Sequence, residues 1–457
     1  MKRSLRKPDL VISILGLAAL AAAWILWFRG QKSVSVPALL ASLVTTALFA
    51  LVCLRFVPVW MDAWDRRIPR LEGEADTGEP RWIGLKIFGL LLGVDIAVLL
   101  LAWAVWRIAG ETGSFRRYLE FWRCLDSGQY LDIVRDWYVS EGDRDSLVRL
   151  VFLPGYPVLV RLLNALIGDD LVSGLIVSGL AFAGAGTAFY RLLRLDLPHG
   201  DALRAVKYLC MIPGVFFFAA PMSDGLFLLF CALSLYLARK DRWIPGCLCG
   251  GAAAFTRSLG LSLLIPLIFL LVEDAIRQRD RLKGREGLRR TVLRTAALIL
   301  IPAGFGVYCW INYRVSGDPF RFMVYQSEHW HQHLGWFFHT AAYQTDYAIS
   351  DFQAKPTVFL GLWLPNQLFS IGGLLLMFFA AKKLRPGYTA WFIGYYAVAY
   401  GATWLLSGPR YLIGLAVFPM AMALVTEKKA ADITMTVCCG ILAVLYFIAF
   451  MLRWQVW

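Results

Sequence analysis

The sequence predicts an all-α integral membrane protein of about thirteen transmembrane helices. Three observations carry this. Apolar runs of about twenty residues, enough to cross a ~30 Å hydrocarbon layer as helix, recur along the whole chain. The ~10-residue stretches of alternating polarity that mark a transmembrane β-barrel do not occur. The 457 residues are 59% hydrophobic and only 17% charged, where a soluble domain carries roughly a quarter charged residues; mean hydropathy is +0.59.

In order, spans are expected at 10–28, 35–57, 83–108, 171–193, 203–220, 224–238, 243–256, 259–272, 294–312, 357–380, 388–406, 410–426 and 432–452. The first follows a basic start, MKRSLRKPDL, like that of a signal peptide. RGQKS after it offers no small-residue cleavage site, so it reads as a retained helix. Orientation follows from Lys and Arg. With Lys2, Arg3, Arg6 and Lys7 cytoplasmic, alternation places on the same side the 58–82 loop with Arg66, Arg67, Arg70 and Arg81. The stretches Arg191 to Lys207, Arg239 to Arg242, Arg277 to Arg294, Lys382 to Arg385, and Lys428 with Lys429 follow. The formal charge of +14 is therefore read as topology, and nucleic-acid binding is excluded.

The same alternation sends two long segments outside, about 110–170 and 313–356, with the short turns PMSDG (221–225), FTRSLG (255–260) and SGPRY (407–411). Several spans between 203 and 272 are short for a bilayer, which implies a protein-lined cavity at the outer face. In the first loop, Phe121, Trp122, Leu125, Ile133, Val134 and Trp137 make a helical stripe, so an amphipathic interfacial helix is expected. Asp126 precedes Ser-Gly-Gln-Tyr, where a break would aim its carboxylate into the cavity; a solvated acid is the competing reading. FLPGYPVLVRLL (152–163) turns the chain back through two prolines.

Among the turns, Asp224 is placed to cap a helix start. Arg257 and Arg410 sit at outer helix ends, where a guanidinium suits phosphate or else contacts lipid headgroups. The second loop holds YQSEHWHQHLGWFFH (325–339), with four of the five histidines. His329, His331 and His333 lack an evident fourth ligand, so a metal is not assigned, and no carboxylate cluster compels a divalent cation. The nine cysteines lie mostly in apolar runs; Cys247 and Cys249 read as packing, and Cys124 has no local disulfide partner. Asp95, in mid-span, should face the bundle interior.

The ordered motifs LDSGQYLDI, FLPGYPVLVRLL, APMSDGLFLLF, FTRSLGLSLLIPL, YQSEHW and SGPRYLIGLAVFP resemble the PIG-V family of mannosyltransferases, within the polytopic GT-C glycosyltransferases. The resemblance covers about 83–425. It implies a GT-C-like core at 83–312 carrying the catalytic loop 110–170, a second external loop at 313–356 and C-terminal helices at 357–457, with 1–82 as an addition. It further implies inverting transfer of a sugar, mannose foremost, from a polyprenyl- or dolichyl-phosphate donor to a lipid or glycan acceptor at the external face. By the same resemblance Asp126 is the general base and Arg257 and Arg410 bind the donor phosphate. Asp224, Gln326, His329, Trp330, Tyr411 and Tyr130 line the pocket. The sequence departs from the family pattern with Leu125 and Gln129 where Trp is usual, and Asp224 where Glu is common. Asp132 is therefore the reserve base. A transporter or flippase of lipid-linked sugars is the rival from another class. The outer loops hold no N-x-S/T sequon, which favours a bacterial plasma membrane.

Overall fold

A computed structural model describes residues 7–64, 80–138, 144–277 and 284–457. Lys2, Arg3, Arg6, Arg66, Arg67 and Arg70, on which part of the orientation argument rests, lie outside the described residues. The described chain is helical throughout, with a single isolated β-bridge between Leu334 and Ala402.

Eight helices among the described residues are long and apolar enough to cross a membrane, where about thirteen were expected. They are Lys7–Arg29, Val36–Trp64, Ile83–Ile108, Asp170–Leu193, Ser258–Ile276, Arg285–Ser316, Pro356–Ala380 and Lys429–Met451. Their outer faces expose apolar side chains such as Leu15, Leu26, Leu85, Leu100 and Leu445, as lipid contact requires.

The other five expected spans are short or broken. Pro213 supplies no amide proton and Gly214 adopts φ +98, so 203–220 divides into His199–Met211 and Phe216–Ala219. Asp224–Arg239 and Trp243–Thr256 have 16 and 14 residues, about 24 and 21 Å at 1.5 Å per residue. The expected 388–406 ends at Ala399, and 410–426 splits into Gly408–Ile413 and Val417–Val425. Pro154 and Pro157, read as a turn, instead open a 13-residue helix, Gly155–Ile167.

Asp170–Leu193 is the hub. Its apolar stretch is 67% buried, against 50% or less for the other long helices, and it packs on Ile83–Ile108, Gly155–Ile167 and Asp224–Arg239. Small residues allow this on several faces at once. A Cβ on Gly186 would lie 2.1 Å from Leu91, and one on Gly225 would lie 3.3 Å from the Ser178 carbonyl. Trp243–Thr256 crosses Leu300–Ser316 at Gly251 and Gly304, where a Cβ on Gly304 would lie 2.0 Å from the Gly251 carbonyl oxygen. Asp95 does face inward, 4% exposed against Gly179. All nine cysteines are free.

The first two helices dock away from the hub. Val36–Trp64 packs on Phe337–Ala354 and Leu364–Ala380, and the Trp27 indole donates to His339 Nδ1 at 3.0 Å. Ion pairs join several of the basic turns to neighbouring segments. Arg239 and Arg385 both bind Asp196, each at 2.7 Å, and Lys207 binds Asp432.

Candidate active site

Four charged side chains from four separate segments meet in the alternating order Asp126, Arg410, Asp224, Arg257. Arg410 places Nη1 2.5 Å from Asp126 Oδ2 and Nη2 2.9 Å from Asp224 Oδ2. Asp224 gives its other oxygen to Arg257. The chain joins positions 284 and 186 residues apart, so nothing local produces it. Asp224 is fully buried and Arg410 nearly so, whereas the Asp126 side chain is 32% exposed. Buried charges persist only when paired, and each interior member here has an opposite charge on either side.

Asp126 is the first residue of Asp126–Asp136, so the break precedes it rather than following it. Leu125 turns the chain there with φ 52, a conformation costly for a branched side chain. The expected amphipathic interfacial helix consists of Phe115–Leu119, Glu120–Trp122 and, after Leu125, Asp126–Asp136, ended by Trp137 at φ 62. Tyr130, one turn on, is buried and meets the Ser223 hydroxyl at 3.0 Å. Burial pushes its phenol up to about 12, which keeps it neutral and able to donate.

Asp224 opens Asp224–Arg239, but Ser223 holds the N-cap position and neither residue caps by side chain. The expectation of a capping Asp224 is corrected: its carboxylate is drawn to the two arginines. Arg257 follows the last residue of Trp243–Thr256 in extended conformation, and the tight turn after it needs Gly260, where a Cβ would lie 2.3 Å from the Ala254 nitrogen. Its guanidinium lies 5.6 Å from the ring centre of Tyr411 and 5.8 Å from that of Phe227.

Arg410 owes its position to side chains that satisfy the irregular backbone at 400–408. Gln344 and Asn366 both donate to the Leu405 carbonyl, at 2.9 and 3.1 Å. The Leu405 amide donates to the Tyr343 hydroxyl, and the Gly408 amide to Asn366 Oδ1. Non-helical backbone at membrane depth requires such partners. Asn366, Gln344 and Ser223 were not singled out in the sequence; the signal available was a polar Asn-Gln pair after Pro365 inside an apolar span.

The second loop contributes less directly. Gln326 bonds to Gln332, which donates to the Trp404 carbonyl at 2.8 Å, so it supports the segment before Arg410 without touching the cluster. Trp330 reaches the site through Phe152, which packs edge-on against Tyr130. His329 is exposed beside Tyr325 and Trp330 and makes no contact with the cluster. His333 bonds to Ser327, while His331 turns the chain at φ 51. Among the described residues no three His, Cys, Asp or Glu side chains converge as a ligand set. Asp132 points away, paired with Arg135 and Arg149.

A family-model scan matched nothing along the chain, and a search of curated proteins also returned no match. Among solved structures the chain is similar to the archaeal oligosaccharyltransferase AglB from Archaeoglobus fulgidus, in complex with an inhibitory peptide and a dolichol-phosphate. The TM-score is 0.41 at 11% identity, over 82% of this chain and 56% of that one, so this chain spans little more than half the length of that protein.

Proposed function

We propose that the chain is a membrane glycosyltransferase of the GT-C type, PIG-V-like, that moves a sugar, mannose foremost, from a polyprenyl- or dolichyl-phosphate carrier to an acceptor hydroxyl. The observation that carries this reading is the buried charge chain Asp126–Arg410–Asp224–Arg257. It sets a carboxylate open to solvent beside two arginines held by one buried acid.

The acceptor hydroxyl attacks the anomeric carbon while its proton passes to Asp126. The new carbon–oxygen bond forms on the face opposite the phosphate, and the carrier phosphate leaves with the electron pair of the broken bond. Arg257 and Arg410 supply fixed donors where that negative charge develops. Asp224 keeps the two cations close together, offsetting their repulsion. Because Arg410 holds Asp126 in this structure, a phosphate that engages the guanidinium also frees the base. The reading places the site on the external face of a plasma membrane, with residues 83–312 as core and 1–82 as an addition.

The test is transfer of labelled mannose from polyprenyl-phosphate-mannose in membranes carrying wild type or Asp126→Asn. Transfer by the wild type alone is expected. An Asp126→Asn variant that turns over normally refutes the base assignment. Asp95 favours a second reading, a transporter of lipid-linked sugar, since its Oδ1 is buried at mid-span without a hydrogen-bond partner among the described residues. Under that reading labelled carrier crosses the bilayer and no sugar is transferred.

A further inference from the structure

The end of the bundle opposite the charge chain carries a groove of about 400 Å³ between the start of Trp243–Thr256 and Arg285–Ala297. Arg242, Arg289, Arg290 and Arg294 line it. Their charge is only partly met. Arg294 is buried and binds Asp241 at 2.5 Å and Asp274 at 3.4 Å. Arg290 meets Glu286 at 4.0 Å in an exposed pair, which neutralises little. Arg242 and Arg289 have no carboxylate partner among the described residues.

Two buried donors on the lining residues are also unmet: Arg294 Nε and Trp243 Nε1 have no hydrogen-bond partner among the described residues. Arg294 is 8% exposed and Trp243 4%. Buried donors without acceptors are costly, so the wall of the groove keeps unmet demand for an acceptor. The groove is not purely polar, however. Ile244 and Leu293 line it while more than half exposed, and Leu288 and Val292 continue the exposed apolar surface along the same helix.

A free anion would answer the arginines and leave the apolar surface bare; an amphiphile answers both. From these features we propose that the groove binds the phosphate headgroup of an anionic phospholipid, with its acyl chains against Ile244, Leu288, Val292 and Leu293. The site is separate from the charge chain. Trp243–Thr256 runs from one to the other, about 21 Å along its axis. The inference therefore stands whether or not the chain transfers sugars.

The experiment uses the full chain purified in neutral detergent, with phosphatidylglycerol, phosphatidylcholine or inorganic phosphate as probes. Native mass spectrometry reads bound lipid, and the thermal unfolding midpoint reads stabilisation. Wild type is expected to retain phosphatidylglycerol in preference to phosphatidylcholine. Arg242→Ala/Arg289→Ala, at two exposed positions, is expected to weaken that binding roughly 30-fold. Arg117→Ala/Lys355→Ala, elsewhere on the surface, should leave it unchanged. Equal phosphatidylglycerol binding by the arginine double variant overturns the proposal. So does inorganic phosphate raising the midpoint as much as the lipid at equal concentration, which would mark a free-phosphate site.

Discussion

Replacing Arg410 separates a structural ion pair from a phosphate-binding one, because this side chain touches both acids of the site. Its fork reaches Asp126 at 2.5 Å through Nη1 and Asp224 at 2.9 Å through Nη2, in surroundings that leave the residue 3% exposed. Hydrogen bonds to charged groups contribute about 1.5–3 kcal/mol each. Arg410→Lys keeps the charge on a single nitrogen and loses one of the two directed bonds, so about 1.5–3 kcal/mol of stability should go. Arg410→Ala removes both and leaves Asp224 buried with Arg257 alone, which should cost about 3–5 kcal/mol.

Catalysis provides the sharper reading. Withdrawing one fixed donor from a developing oxyanion slows a reaction by roughly 10²–10³-fold. For Arg410→Lys the expected result is a fall in kcat toward that range together with a raised KM for polyprenyl-phosphate-mannose. The KM for acceptor should change little. Initial-rate kinetics in lipid nanodiscs, paired with denaturant unfolding of the same preparations, measure both effects. A variant that loses this much stability but keeps its donor KM and its turnover would show that Arg410 braces the site without binding the leaving phosphate.

Other expectations are briefer. Asp132→Asn should keep transfer within about threefold and cost under ~1 kcal/mol, because its partners Arg135 and Arg149 form partly exposed pairs; abolished transfer in this variant, beside an active Asp126→Asn, would reverse the base assignment. Gly304→Ala should destabilise the protein by about 1–3 kcal/mol or more, since its Cβ meets backbone. Gly306→Ala, with open space around it, should be neutral or better in the same unfolding assay. Burial raises the Asp196 carboxyl, but Arg239 and Arg385 outweigh this and hold it below the usual carboxylate range. Its contribution to stability is therefore complete above about pH 4 and drains as pH falls through the lowered folded value; unfolding midpoints of wild type and Asp196→Asn should converge as the medium is acidified, and parallel curves would rule the linkage out.

What the sequence made legible divides along physical lines. Long spans were readable because twenty apolar residues have few alternatives to crossing as helix. Their short neighbours were not, since whether sixteen residues from Asp224 cross or stop short depends on the helices around them. Asp126, Asp224, Arg257 and Arg410 could be placed at one end by counting turns and by resemblance. Their alternating order could not, because it depends on how Gly408–Ile413 is propped by Asn366 and Gln344 from distant helices. His329 misled for a related reason: loop residues near each other in sequence carry no information about depth, and this one faces outward. The arginines of the groove were counted as topology markers. Only packing reveals that Arg294 is buried while Arg242 and Arg289 have no carboxylate partner among the described residues.

The two ends of the bundle hold ion clusters of equal composition, and their difference argues for chemistry at one of them. Asp196 and Glu273 with Arg239 and Arg385 interlock through side chains of which none is more than 15% exposed. Arg239 and Arg385 both converge on Asp196, and the Tyr388 hydroxyl accepts from Arg239 at 3.1 Å. Such mutual pairing of buried charges offsets part of their desolvation. Asp126 and Asp224 with Arg257 and Arg410 balance in charge just as well, yet this set is open. Its terminal carboxylate is 32% exposed, Arg410 Nε is buried without a hydrogen-bond partner among the described residues, and Leu125 is strained where the acid begins its helix. A cluster needed only for stability would gain by closing these defects. Here the exposed acid and the unmet guanidinium donor lie on adjoining residues of one chain of charges, the arrangement that the proposed transfer between a hydroxyl and a phosphate would use.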